Sequence, residues 1–182
     1  DEAKARKMCD DASFFNKEAI YYPAKDAIFY SADVHGNQIT GERLRCISRI
    51  INHSSTGEGV LTVVTTMDGI ADRLIPVERF KEAVITLDYS SEIEPEKLAK
   101  KLVAMGFVRT GMVEDKGQFA IRGGIIDIFS YTDEAPVRIE LWDTEVDSIR
   151  MFDVESQRSI ERLQSYSIFP ATEYIFTEDE LK

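Results

Sequence analysis

Two arginines and a tryptophan are the residues of this 182-residue chain best suited to chemistry, and the chemistry they suit is recognition rather than bond making. Arg122 closes the run Gln118-Phe-Ala-Ile-Arg122, and Arg138 and Trp142 stand four apart in Val137-Arg-Ile-Glu-Leu-Trp142. Read as strands with side chains alternating at period two, Phe119 with Ile121, Ile126 with Ile128, and Val137 with Ile139 and Leu141 form apolar inward faces. Gln118, Ala120 and Arg122 then take the outward parity on one strand, and Arg138, Glu140 and Trp142 on another, so both arginines and the tryptophan are offered to solvent. Arg and Trp often dominate binding energy at protein interfaces, which makes this face a candidate docking surface. The alternative, equally open at this point, is that each arginine pairs with a cross-strand Glu or Asp on a solvated face.

Other candidate chemistry is sparse. Asp143, Glu145 and Asp147 alternate along one strand face and suit an acidic edge that discourages sheet-to-sheet pairing better than an acid/base or metal pair. Gly123-Gly124 precedes no helix, so it reads as a tight turn or bulge rather than a phosphate cradle. His35-Gly36-Asn37 reads as a loop, and His35 has no orienting partner for general-base work. The chain contains no G-x-x-x-x-G-K-[ST] loop, no nucleophile elbow and no Cys/His zinc spacing. Neither an enzyme, a cofactor nor a metal is expected.

Two regions must position the docking residues. The first, residues 1–80, alternates helix with short apolar strand. An opening helix carries Ala5, Met8, Ala12 and Phe15 on one face, with nothing before it to cap it. Strands are expected at Ala19 to Tyr22, Ala27 to Tyr30 and Gly59 to Thr65, the last a buried parallel strand, with a helix from Thr40 to Asn52 between them. Thr66 caps a short helix bearing Met67, Ile70 and Leu74, which Pro76 stops. The second region, residues 81–168, opens with a strand at Val84 to Leu87 and a helix from Pro95 to Met105 that ends at Gly106. Strands follow at Phe107 to Val113, Gln118 to Arg122, Ile125 to Phe129, Val137 to Trp142 and Glu145 to Phe152, with a last one at Arg162 to Phe169. The fold class is α/β, with a small, mostly antiparallel α+β domain inserted. Residues 169–182 form a return segment, in which Thr177-Glu-Asp-Glu180 has capping-box spacing. Both ends read as cut from a longer protein.

Composition narrows the partners. A net charge of −11 opposes strong direct DNA binding, because gripping phosphates needs a basic surface. Only two cysteines, Cys9 and Cys46, lie far apart in helical patterns, which fits a reducing compartment and no disulfide framework. With no signal peptide and no membrane-length apolar run, a cytoplasmic location without membrane partners is expected.

The segment Gly117 to Phe129, the run Arg138 to Arg150, Phe152-Asp-Val-Glu-Ser-Gln-Arg-Ser159 and Ile168-Phe-Pro-Ala-Thr-Glu-Tyr174 closely resemble the N-terminal UvrB-like module of the bacterial transcription-repair coupling factor (Mfd) family. Pro23-Ala-Lys-Asp26 and Gly41-Glu-Arg43-Leu44 fit its preceding α/β part. The resemblance implies a truncated, degenerate P-loop-type ATPase domain and a sheet domain that docks onto UvrA, the damage-recognition ATPase. It maps the family's contact positions onto Arg122, Arg138 and the aromatic position where relatives carry Phe and this chain has Trp142. A non-catalytic adaptor is thereby implied, bringing nucleotide excision repair to stalled RNA polymerase. Contacts to RNA polymerase and DNA belong to other domains of the parent, an ATP-dependent DNA translocase. The rival reading is a fragment of a UvrB-type repair helicase that contacts DNA. It is disfavoured because residues 21–41 hold no aromatic-rich hairpin and Ser156 to Ser159 follow the coupling-factor pattern.

Overall fold

Asp1 opens the fold, its Oδ1 accepting a hydrogen bond from the Lys4 amide at 2.9 Å and so capping helix α1, Glu2–Phe15. This is seen in a computed structural model that describes residues 1–25, 34–57, 59–71 and 74–175. The expected apolar stripe on α1 is shifted: Ala5 and Cys9 are the buried positions, and Met8 and Phe15 are exposed. The chain divides into two units, Asp1–Val77 and Glu78–Lys182.

In the first unit, strand β1 (Ala19–Tyr22) is followed by helix α2 (Val34–Thr56), strand β2 (Thr62–Thr65) and helix α3 (Met67–Ala71). β1 and β2 pair in parallel, with Ala19 opposite Thr62 and Tyr22 opposite Thr65. α2 begins earlier than expected and takes in His35, Gly36 and Asn37 in place of the expected loop; helix propensity is a weak prior that the context of a long helix overrides. Ile20, Tyr22 and Cys46 form a small core with Ile47 and Leu61. Beside it Arg43 is fully buried, donating from Nη1 to the Pro23 carbonyl at 2.7 Å with its guanidinium 4.3 Å from the Tyr22 ring centroid. β2 is not the buried strand its apolar run suggests, for Val63 is exposed and its neighbours are half-buried. Thr66 does cap α3, accepting from the Gly69 amide at 3.2 Å. The strand expected at 27–30 and the helix expected from 177 lie outside the described residues.

The second unit comprises helix α4 (Val77–Ala83, beginning at the unit boundary), strand β3 (Ile85–Asp88), helix α5 (Pro95–Ala104) and strands β4 (Val108–Arg109), β5 (Gln118–Arg122), β6 (Ile125–Phe129), β7 (Val137–Trp142), β8 (Glu145–Phe152), β9 (Ser159–Arg162) and β10 (Ser165–Ile168). A six-stranded sheet runs in sequence order from β4 to β9, antiparallel except for the β4/β5 pair. The seven-residue strand expected at 107–113 is reduced to β4, and the final expected strand is two: β9 joins the large sheet, while β10 pairs with β3. α5 starts with Pro95 at its first turn and ends at Ala104, with Met105 as its cap and Gly106 next. The φ of +89° there, and the 2.7 Å that would separate a Cβ from Thr172 Cγ2, leave room only for glycine. Leu98, Ala99 and Leu102 of α5 pack on the inward sheet face, where Phe119, Ile126, Ile128, Val137, Ile139 and Ile149 are fully buried. Period-two alternation therefore gives the core it implied, each large side chain contributing about 1.5–3 kcal/mol. Among the described residues no helix is long and apolar enough to cross a membrane.

Ile139→Ala should destabilise the second unit by about 2–5 kcal/mol in urea titration, because the cavity lies in the centre of the sheet. In the first unit, both cysteines are buried free thiols, and burial pushes the Cys46 thiol from 9.0 up to about 12. The folded thiol keeps its proton where an unfolded one ionises, so this contribution is fully present below pH 9.0 and lost as pH rises towards about 12. Alkaline unfolding followed by circular dichroism should accordingly show a shallower decline between these values for Cys46→Ala than for the parent.

Candidate docking face

Sheet register puts the face opposite α5 in order. Ala120, Asp127, Arg138, Arg150 and Arg162 lie directly opposite one another on five successive strands, and Arg122, Ile125, Glu140 and Ser148 form the neighbouring row. Cross-strand partners point to the same side of a sheet, so these residues share a face.

That face is not bare. Val113, Ala120 and Phe129 form a small buried cluster on it, with Val154 packed alongside. Asp127 is 1% exposed and accepts three charge-assisted hydrogen bonds: 2.6 Å from Arg122 Nη2, and 2.7 and 2.9 Å from Arg138 Nε and Nη2. Arg138 is held further by the Gln157 Oε1 acceptor at 2.8 Å and by the Phe152 ring, whose centroid is 4.3 Å from its guanidinium carbon. Its side chain is 13% exposed, and the hydrogen bond to Asp127 holds its guanidinium above its ordinary basicity. The expectation that both arginines are offered to solvent is thus corrected. Strand parity assigns Arg138 to the outer side, but Asp127 and the loop after β8 claim it there.

Arg122 differs. Its side chain is 44% exposed and gives one of its five N–H groups to Asp127, the only hydrogen bond it makes among the described residues. Trp142, at the end of β7, is 79% exposed. The turn Gly123-Gly124 lies against this strand end, the Leu141 amide donating to the Gly124 carbonyl at 2.8 Å. A Cβ on Gly124 would sit 2.8 Å from the Leu141 carbonyl oxygen, so the close approach requires glycine and confirms the turn reading over a phosphate cradle. Glu140, between Arg138 and Trp142, accepts from Ser148 Oγ at 2.8 Å and pairs with Arg150. Asp143 sits in the β7–β8 turn with φ of 59°, so the acidic trio does not share one strand; Glu145 and Asp147 alone lie exposed on β8. Among the described residues no cluster of His, Cys, Asp or Glu is arranged to hold a metal ion.

Residues 85–174, which contain all of these groups, match the family model described as the UvrB interaction domain. The chain is also 41% identical over 179 residues, 97% of its length, to the transcription-repair-coupling factor of Bacillus subtilis (strain 168). This chain belongs to the transcription-repair-coupling factor family. It is 37% identical over 174 residues, 95% of its length, to the Staphylococcus aureus (strain Mu50 / ATCC 700699) factor. To that of Staphylococcus haemolyticus (strain JCSC1435) it is 37% identical over 167 residues, 92% of its length. It spans 14–15% of the length of these coupling factors.

Asp127 and Gln157 are the members of the face that sequence reasoning missed. Asp127 has the outward parity of its strand, between Ile126 and Ile128, and that parity was the available signal. Gln157 is placed by the β8–β9 turn, in which Asp153 Oδ1 accepts from the Ser156 amide at 2.8 Å and the Gln157 amide donates to the Asp153 carbonyl at 2.8 Å. Its own φ of 58° belongs to this turn.

The two arginines should separate in stability measurements. Arg138→Ala leaves a buried carboxylate short of its principal partner and should cost about 3–5 kcal/mol, whereas Arg122→Ala, which removes one half-exposed contact, should cost about 1 kcal/mol or less. Asp127→Asn should fall between them in urea titration.

Proposed function

We propose that this chain is a non-catalytic docking module whose outer sheet face binds UvrA, so that nucleotide excision repair is recruited where RNA polymerase has stalled. The observation that carries this reading is an exposed Trp142 and a half-engaged Arg122, two strands apart on a hydrogen-bonded sheet, within residues that match the UvrB interaction domain. An exposed indole is costly to leave in water and contributes strongly once covered, and a preformed sheet loses little freedom on binding. Arg138 serves the same face by holding Asp127 and with it the Arg122 guanidinium, which makes it a positioning residue.

The first unit, with its parallel strands, is read as a degenerate P-loop-type domain that binds no cofactor. Contacts to RNA polymerase and DNA are assigned to other parts of the longer relatives, and the setting is the cytoplasm. A DNA-binding UvrB-type role is disfavoured by the net charge of −11.

Calorimetric titration with UvrA tests the proposal. Trp142→Ala and Arg122→Ala should each weaken binding by about tenfold to a hundredfold, with the melting temperature unchanged for Trp142→Ala and lowered by at most a few degrees for Arg122→Ala. Equal affinities for the parent and both variants would remove the face from the interaction. Arg138→Ala is unsuitable as the sole probe, since its loss of affinity would be confounded with loss of structure.

A further inference from the structure

The cross-strand row does not stop at Arg138. Arg150 on β8 lies directly opposite it, and Arg162 on β9 lies directly opposite Arg150. Like charges in such positions repel, and two of the three are neutralised within the sheet: Arg138 by Asp127 and Arg150 by Glu140. Arg162 is exposed, and among the described residues no carboxylate lies within ion-pair distance of it. Among the other exposed arginines, Arg6 pairs with Glu2 and Glu42, Arg49 with Glu18, and Arg109 with Glu96, while Arg45 and Arg158, like Arg162, make no ion pair among the described residues; Arg162 alone of these three stands in the cross-strand row. With Arg122 included, the row and its neighbour hold four arginines against the carboxylates of Asp127 and Glu140, in a chain whose net charge is −11.

Arg162 is also held in place. The next residue, Leu163, donates its amide to the Ile149 carbonyl at 2.9 Å and packs against the main core, which fixes the backbone of the edge strand at this point. With strands about 4.8 Å apart, β5 to β9 span about 19 Å, a width suited to one standard-sized protein interface.

We propose that the docking face extends from Arg122 and Trp142 across the sheet to Arg162, and that the partner presents an acidic protein surface with a carboxylate against Arg162. This rests on the docking reading above and names the chemistry of the surface that fits it. The overall negative charge favours a protein carboxylate over a nucleic-acid phosphate, because the rest of the chain would repel a polyanion that extends beyond the face.

The test compares Arg162→Glu with Lys100→Glu, the same charge change on the exposed side of α5, which covers the opposite sheet face. At about 50 mM salt, Arg162→Glu should weaken UvrA binding about tenfold and Lys100→Glu less than about twofold, with the difference shrinking at about 0.5 M salt as charges are screened. The Arg162→Glu protein should melt no lower than the parent, since glutamate opposite Arg150 replaces a repulsion with an attraction; weaker binding with retained stability is the expected signature. If Trp142→Ala abolishes binding while Arg162→Glu binds like the parent at low salt, the extension is wrong and the docking reading stands. If the parent does not bind UvrA, that reading fails, and fluorescence of Trp142, the only tryptophan, then reports on an oligoglutamate peptide and a duplex oligonucleotide. Saturable quenching by the peptide that Arg162→Glu removes supports an acidic protein partner. No quenching, or tighter binding of the oligonucleotide, overturns it.

Discussion

A single carboxylate with almost no access to water governs the outer sheet face. Asp127 is flanked along its strand by Ile126 and Ile128, which belong to the core on the other side, so it cannot turn away from the face to find solvent. A carboxylate buried there requires hydrogen-bond donors, and the register supplies arginines from the strands on both sides. Arg138 fills both carboxylate oxygens in a fork geometry that lysine could not reproduce, and Arg122 adds a third hydrogen bond on the same face from β5, the strand on the other flank of β6. The placement of Phe152 and Gln157 is subordinate to this arrangement, the ring stacking beneath the guanidinium and the amide oxygen accepting from it.

Strand order, side-chain parity and turn positions from Gln118 to Phe152 are legible in the sequence because each short run alternates cleanly and is bounded by glycine, aspartate or proline. Exposure is not. Parity tells which side of a sheet a residue takes, and a second small cluster around Val113, Ala120 and Phe129 covers part of the side that alternation alone leaves to solvent. Trp142 escapes this cover because it stands at the strand end beyond the register shift after Glu140. The alternative of an arginine paired with a cross-strand acid is correct for Arg138 and half correct for Arg122. Only the folded geometry could distribute one carboxylate between two guanidiniums.

Elsewhere the departures share one cause, the reach of tertiary context. The opening helix buries Ala5 and Cys9, small residues that allow close approach, while the larger Met8 and Phe15 stay outside. β2 reads as a buried strand from its valines, yet it belongs to a two-stranded parallel pair in which Val63 stays exposed. Helix α2 runs through Gly36 and Gly41, residues that lower its intrinsic propensity without ending it.

The return of the chain to α5 carries a consequence for the order of folding. The Ala171 amide donates to the Met105 carbonyl at 2.8 Å, Thr172 closes over Gly106, and β3 finds its hydrogen-bonded neighbour in β10, with Ile85 opposite Ile168. The earliest elements of the second unit are therefore completed by its latest residues. During synthesis, β3 and the end of α5 would leave the ribosome well before the segment that pairs with them, and their polar backbone must remain hydrated until it arrives. Closure is thus a long-range event, and the sheet that carries Arg122, Arg138 and Trp142 is threaded between the two segments it joins.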